Sequence, residues 1–239
     1  MNNFFRFPHT PHLAWLGQGS PRDDKVLSPA EAAVLLDGPV VVEEKLDGAN
    51  LGFSISLEGD LRAQNRGSYL QLPYRGQFSR LEQWLGIHEN RLFDVLDEHL
   101  ILFGEWCAAQ HSLNYSNLPD WWLLFDVYDR REGKFWSTRK RDALARKIQV
   151  ATVPCLLKEA VTLKQLEDLV STQQSKFRCG PLEGVVVRQE DDNWLRARGK
   201  LVRAEFTQAI DSHWRSRQIE WNRVSFDHQN DTGRATGGH

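Results

Sequence analysis

Cysteine is scarce in this 239-residue chain: Cys107, Cys155 and Cys179 are odd in number, far apart and never in a CxxC pair. That spacing argues against a disulfide frame or thiolate zinc site and for reduced intracellular thiols. Surplus charge is lacking too. Thirty Lys and Arg face 32 Asp and Glu, a net charge of −2, so no global positive field attracts a polyanion and any nucleic-acid surface must be local. No apolar run reaches bilayer-spanning length, which leaves no membrane partner. The start, MNNFFRFPHTPHLAW, lacks the basic-then-apolar order of a signal peptide; the expected location is cytoplasmic. There is no internal repeat, no P-loop, no metalloprotease signature and no local Ser, His and acid spacing that suggests a triad. What remains is a globular composition, 41% hydrophobic and 26% charged, long enough to bury one substantial core. Nine tryptophans are expected in the core or on sheet faces.

The chain is organised around Val41 to Asn50, VVEEKLDGAN. Val40, Val41 and Val42 predict a buried strand, because β-branched side chains suit a pleated surface. Charge follows abruptly at Glu43, Glu44, Lys45 and Asp47, then Gly48, where the backbone can turn or admit a ligand. Leu51, Phe53, Ile55 and Leu57 alternate as in a half-buried strand. A lone lysine thus sits between two strands among carboxylates. Lysine is the cation most readily shifted to a neutral nucleophile, although K-L-D-G alone is as well explained by a salt-bridged hairpin turn.

Around this centre, Phe4 to Lys25 reads as an irregular lead-in. Ser28-Pro29-Ala30-Glu31 starts a helix that should run to about Asp37 and stop at Gly38-Pro39. Leu61 to Arg66 predicts a strand. Ser79 with Glu82 has capping-box spacing ahead of a helical pattern broken near Gly86. Leu100–Trp106 and Trp121–Tyr128 predict buried strands, Thr138–Gln149 and Thr162–Val170 helices, Val185–Arg188 and Trp194–Arg203 further strands, and Ala204–Trp214 a helix. From Asp227 the tail is polar and expected to fray.

Acids abut the apolar strands: Glu105 closes LILFGE, Asp126 interrupts LLFDVY and Glu183 opens EGVVVR. Singly these are ordinary solvated strand ends. With Lys45 and Asp47 they form the pattern expected when side chains converge on a cleft. Arg196, Arg198, Lys200 and Arg203 supply cations suited either to a solvated edge strand or to phosphate capture.

Six segments in order, EKLDG (44–48), QNRG (64–67), FGEW (103–106), LLFDVYD (123–129), EGVVVR (183–188) and RGKLVR (198–203), resemble the motifs of the covalent nucleotidyltransferases, the superfamily of ATP- and NAD-dependent ligases and mRNA capping enzymes. The RNA ligase branch is most similar, over about residues 7–214. The resemblance implies an α+β fold: two mainly antiparallel sheets with flanking helices and a nucleotide cleft between them. It implies an adenylation domain over 1–224, a flexible tail over 225–239, and a stand-alone catalytic core.

The same resemblance implies a chemistry. Lys45 attacks the α-phosphate of ATP, AMP passes from it to a 5′-phosphate end, and a 3′-hydroxyl seals the strand. Glu44, Asp47 and Gly48 would border the nucleotide; Arg66 would contact phosphate or ribose and orient the polynucleotide end. Glu105 would accept from a ribose hydroxyl and Phe125 would stack on adenine. Glu183, with Asp126 or Asp47, would hold magnesium or manganese. Lys200 with Arg198 would neutralise the α-phosphate. The last motif reads Arg-Gly-Lys rather than Lys-x-Lys, which leaves Lys200 as the firmer assignment beside Arg198 and Arg203. His9, His12 and Lys25 fit either the nucleotide pocket or packing; His111 and His213-Trp214 fit structural roles. The expected partner is RNA with 5′-phosphate and 3′-hydroxyl ends. A ligase of nicked DNA or hybrid duplexes, or an end-binding module without turnover, are the alternatives.

Overall fold

The computed structural model describes residues 4–18, 21, 25–208 and 219–225. Helix α1 (Pro29–Leu35) begins as its sequence dictates: the Ser28 hydroxyl accepts from the Glu31 N–H, the Glu31 carboxylate accepts from the Ser28 N–H, and Pro29 occupies the first turn. Strands β1 (Pro39–Lys45) and β2 (Ala49–Ile55) follow, then β3 (Leu61–Gln64). Helix α2 (Leu81–Phe93) departs from expectation twice. It starts one residue later, with Arg80 as an N-cap that makes no side-chain bond, because Ser79 closes a short 3-10 turn (Gly76–Phe78). It also runs unbroken through Gly86. Burial of Leu81, Trp84, His88 and Leu92 on one face outweighs the ~1 kcal/mol propensity cost of an exposed glycine.

Strands β4 (Leu100–Trp106) and β5 (Trp122–Asp129) stand where their apolar runs placed them. The two-residue β6 (Lys134–Phe135) and the strand β7 (Cys155–Ala160) had no sequence signal; β7 is an edge strand, mostly exposed, so its residues do not alternate. Helix α3 (Thr138–Ile148) precedes it, and α4 (Leu163–Thr172) follows with the Thr162/Gln165 capping box. Strands β8 (Gly184–Glu190) and β9 (Leu195–Val202) and the short α5 (Ala204–Gln208) complete the elements. The rest of the helix expected to Trp214, including His213, lies outside the described residues, as does the tail from 226 onward.

Two antiparallel sheets result. One has the order β7-β1-β8-β9 and the other β3-β2-β4-β5-β6. In the first, Val40, Val42, Val185, Val187 and Leu201 pack against Leu35 of α1 and Leu166 and Val170 of α4. In the second, Leu51, Phe53, Leu102, Trp122 and Leu124 pack against Trp84 and Leu92 of α2 and Ala145 and Ile148 of α3. Strand alternation then turns Val41, Glu43 and Lys45 of β1 away from that helical layer and toward the other sheet. No helix among the described residues is long and apolar enough to cross a membrane.

The lead-in closes one side of the space between the sheets. Lys200 N donates to Pro11 O at 2.8 Å and Leu13 N to Lys200 O at 2.7 Å, tying it beside β9. Phe5 and Phe7 pack on Phe103 and Phe135 of the other sheet.

Candidate active site

A cavity of about 710 Å³ opens between the sheets, lined among others by Lys45, Gly48, Asn50, Arg66, Glu105, Phe125, Asp126, Val186, Arg198 and Lys200. Lys45 is the last residue of β1 and pairs with Gly184 of β8, which brings the preceding Glu183 against its side chain. Lys45 Nζ donates to Glu183 Oε1 and Oε2 at 2.7 and 2.8 Å. Burial works against the ammonium, but the charges of Glu183, Glu105 and Asp47 outweigh it and push its pKa up to about 12. Burial dominates for the acids. Both Glu105 and Glu183 are pushed up to about 7 despite the attraction of Lys45, with the charge of Asp47 adding to the shift of each and that of Glu183 adding to the shift of Glu105. Two further cations act on these acids, Lys200 on Glu183 and Arg66 on Glu105.

The turn after Lys45 is held closely. A Cβ on Gly48 would lie 2.6 Å from Trp106 O and 3.0 Å from Glu105 Cγ, so only glycine lets this turn press against β4. Phe125 and Asp126 reach the same cavity although they are neighbours on one strand. The β4/β5 register explains it: Phe103 pairs with Asp126 and Gly104 with Leu124, so Phe125 is the extra residue of a β-bulge. The bulged carbonyl of Phe125 accepts from Arg141 Nη1 at 2.9 Å.

The sequence of the segment carrying this geometry decides the affiliation: the RNA ligase family matches residues 38–202, more than two thirds of the chain. The chain belongs to the RNA ligase family. The fold is similar to those of an archaeal ATP-dependent RNA ligase (TM-score 0.58, 18% identity, covering 84% of this chain and 48% of that one) and the Naegleria gruberi RNA ligase with PPi (TM-score 0.53, 19% identity, 72% and 52%). It is also similar to a putative ATP-dependent DNA ligase from Aquifex aeolicus (TM-score 0.52, 20% identity, 84% and 50%). The chain thus spans about half the length of these solved structures. Among curated proteins, none matches it.

Against the residues expected from this family, the structure brings Lys45, Gly48, Arg66, Glu105, Phe125, Arg198 and Lys200 to one cavity and Glu183 onto Lys45. One expectation needs correction, and three more of the expected residues have protein partners of their own. Arg203 is not at the cavity; it donates to the carbonyls of Val170 and Ser171 at 3.0 and 2.9 Å and pairs with Glu205, closing the end of α4. The Glu44 carboxylate points to the opposite side of β1 from Lys45, where Oε2 accepts from Lys176 N at 3.0 Å, and burial raises its pKa. Asp126, expected as a metal ligand, lines the cavity but has Oδ1 bonded by Arg188 at 2.8 Å and Oδ2 bonded by Arg198, so both of its oxygens already face arginines. Asp47 Oδ2 accepts two backbone bonds, from Ser112 N and Leu113 N, each at 2.7 Å. Among the described residues, no group of three or more His, Cys, Asp or Glu is arranged to hold a metal ion.

Of the cavity residues given no role from sequence, four stand out. Asn50 sits opposite Glu105 in the β2/β4 ladder with a buried Oδ1 that lacks a protein partner. Gln77 Oε1 lies 2.7 Å from Nε2 of His111, whose charged form burial disfavours. Val186 faces the cavity from β8 between the outward Val185 and Val187. Arg188 carries the ion pair to Asp126. The inward phase of EGVVVR could have found Val186; nothing local could have found Gln77.

Proposed function

We propose that this chain is an ATP-dependent RNA ligase that self-adenylylates on Lys45. The supporting observation is the position of Lys45: the only lysine of the KLDG turn, fixed by Glu183 in a cavity of nucleotide size between two rigid sheets. As the free amine, Lys45 forms a bond to the α-phosphorus of ATP while that phosphorus releases pyrophosphate. The ammonium proton leaves beforehand, with Glu183 the nearest base. AMP then moves from Lys45 to a 5′-phosphate, and a 3′-hydroxyl displaces it to seal the strand. Splitting one displacement into two phosphoryl transfers is nucleophilic catalysis.

Phe125 offers an aromatic face to the adenine, with Val186 across the cavity. Glu105 accepts from a ribose hydroxyl. Lys200, whose charge acts on Glu183, neutralises the α-phosphate as its charge grows. Arg66 orients the polynucleotide end. The carboxylates of Glu183 and Glu105 are hard oxygen donors that suit magnesium or manganese, and with no cage of three side chains they would hold it together with the phosphates of ATP. A cation bound there would supply neutralisation of the triphosphate. Two mutants of the Naegleria gruberi RNA ligase, similar in fold, have structures with ATP and Mn, in keeping with this reading.

The test is incubation with ATP labelled on the α-phosphate, with magnesium or manganese, followed by denaturing electrophoresis. Acid-labile label on the wild type and none on Lys45→Ala is expected. Absence of label on the wild type at any divalent cation concentration refutes the enzyme and favours the end-binding module. Nicked duplexes carrying RNA or DNA on the 3′-hydroxyl side then separate an RNA ligase from a DNA or hybrid ligase.

A further inference from the structure

The loop after β4, residues 107–118, is held on two sides. On one side it grips the nucleophile turn. Asp47 N donates to the Tyr115 hydroxyl at 2.8 Å, and Asp47 Oδ2 accepts from Ser112 N and Leu113 N. On the other side it is gripped by residues 219–225. Asn222, buried at 3% exposure, donates from Nδ2 to Cys107 O at 2.8 Å and accepts at Oδ1 from Tyr115 N at 2.8 Å. Its own N–H donates to Ala108 O at 2.9 Å. Arg223 N donates to Tyr115 O at 2.9 Å, Gln110 N to Glu220 O at 2.9 Å, and Ser225 N to Leu118 O at 2.8 Å. Outside these bonds the Arg80 guanidinium lies over both Trp121 and Trp221, 5.0 and 4.1 Å from the ring centres.

We infer that residues 219–225 are a positioning strap for the nucleophile, with Asn222 setting the 107–115 loop and that loop setting Asp47 and hence Lys45. This rests on the reading of Lys45 as the adenylylated residue. The physical argument is geometric. A loop has no sheet ladder to satisfy its backbone, and Asn222 supplies both a donor and an acceptor at the two ends of the 107–115 excursion. The tyrosine so placed accepts from the backbone N–H of Asp47, two residues after Lys45. A displacement of about 1 Å at a nucleophile lowers a rate on the order of a hundredfold, so loosening a strap two bonds away should act on the chemical step and not on ATP affinity. Asn222 touches no substrate; it is a positioning residue.

The experiment compares Asn222→Ala with wild type by two readouts. The first is the first-order rate constant of lysyl-AMP formation at saturating ATP, normalised to the active fraction, with the KM for ATP. A fall of roughly tenfold or more with KM within about twofold is expected. The second is hydrogen exchange at the Asp47, Ser112 and Leu113 amides, whose protection should drop by about tenfold or more. Protection kept at all three amides, or a lower melting temperature with an unchanged rate constant, overturns the inference. If Asn222→Ala does not fold, Asn222→Ser and Tyr115→Phe carry the same readouts, and unchanged exchange at Asp47 in both overturns it. If wild type forms no lysyl-AMP, the reading of Lys45 fails and the exchange arm alone decides the strap.

Discussion

Glu43 and Lys45 stand two residues apart on one face of β1, yet they belong to ionic clusters of opposite character. Around Glu43 the arginines Arg141, Arg188 and Arg198 meet Glu43, Asp126, Asp142 and Glu190. Arg141 and Arg188 are each 1% exposed, and although burial opposes their charge, Glu43 with Asp142 or Asp126 holds it above the ordinary range. Around Lys45, Glu105 and Glu183 are left close to half-protonated near neutrality. The first cluster is satisfied and locks the sheets together. The second holds carboxyls whose burial raises their pKa values to about 7, as expected of the site proposed to change charge during a reaction. The two are linked, since Arg141 and Arg188 both donate to the bulged carbonyl of Phe125, so the locked cluster places the residue proposed to meet adenine.

This contrast can be broken most sharply by removing one cation from each cluster. Lys45→Ala should abolish self-adenylylation and lower stability by no more than about 2 kcal/mol, since the raised pKa of Lys45 is itself a stabilising contribution and the protonatable Glu105 and Glu183 can lose their charge. Arg188→Ala should destabilise the fold by about 3–5 kcal/mol, because it strands Asp126 and Glu43 in the interior. Denaturant melts beside the labelling assay check both; a stable Arg188→Ala protein would dissolve the distinction.

Lys200→Ala and Arg203→Ala test the two ends of the last motif. Loss of Lys200 should slow adenylyl transfer by about a hundredfold, in line with removal of one charge-stabilising donor. Loss of Arg203 should leave the rate within a few-fold and lower stability by about 1–2 kcal/mol, from the freed carbonyls at the end of α4. Rapid-quench kinetics and thermal melts separate the two.

The pH dependence sharpens the comparison further. Glu105 and Glu183 have folded pKa values near 7, above the ordinary 4.5. Between those values the folded state binds more protons than the unfolded state, so their contribution to stability falls as pH rises from about 4.5 to about 7. Glu105→Gln should flatten that decline by on the order of 1–2 kcal/mol, measured as the difference from wild type in urea melts at pH 5 and pH 8. Lys45, raised from 10.5 to about 12, contributes stability that is fully present below 10.5 and lost as pH rises from 10.5 through about 12. Its charge at neutrality means that the rate of lysyl-AMP formation should climb with pH from 7 to 9. A flat rate profile would show that ATP and its cation have already neutralised the amine.

The smallest effect expected is that of salt on nucleotide transfer. Nucleic acid held by local cations should lose affinity steeply between about 50 and 200 mM salt, whereas nucleotide transfer inside the cavity should change little. Gel-shift titrations against labelling rates measure the two.

Much of the fold was legible in the sequence. Capping boxes at Ser28 and Thr162 and the apolar runs of β1, β4, β5 and β8 act locally, so each announces itself over a few residues. Lys45, Glu105, Phe125 and Lys200 stood out because charge or aromaticity abutted those runs, and the order of six motifs gave their common purpose. Ser79 misled because a polar residue at the right spacing serves equally in a 3-10 turn, and Gly86 because tertiary burial outweighs propensity.

What the chain alone determined is which side chains carry charge next to buried strands, since that depends on neighbours in sequence. Which partner each charge takes depended on the packing of two sheets. The bulge at Phe125 turned Asp126 toward Arg188 and Arg198, strand alternation sent Glu44 away from Lys45, and the return of residues 219–225 made Asn222 a neighbour of the loop that bonds Asp47. Those pairings join residues from 62 to 132 positions apart, and no periodicity within a strand or helix encodes contacts at that range.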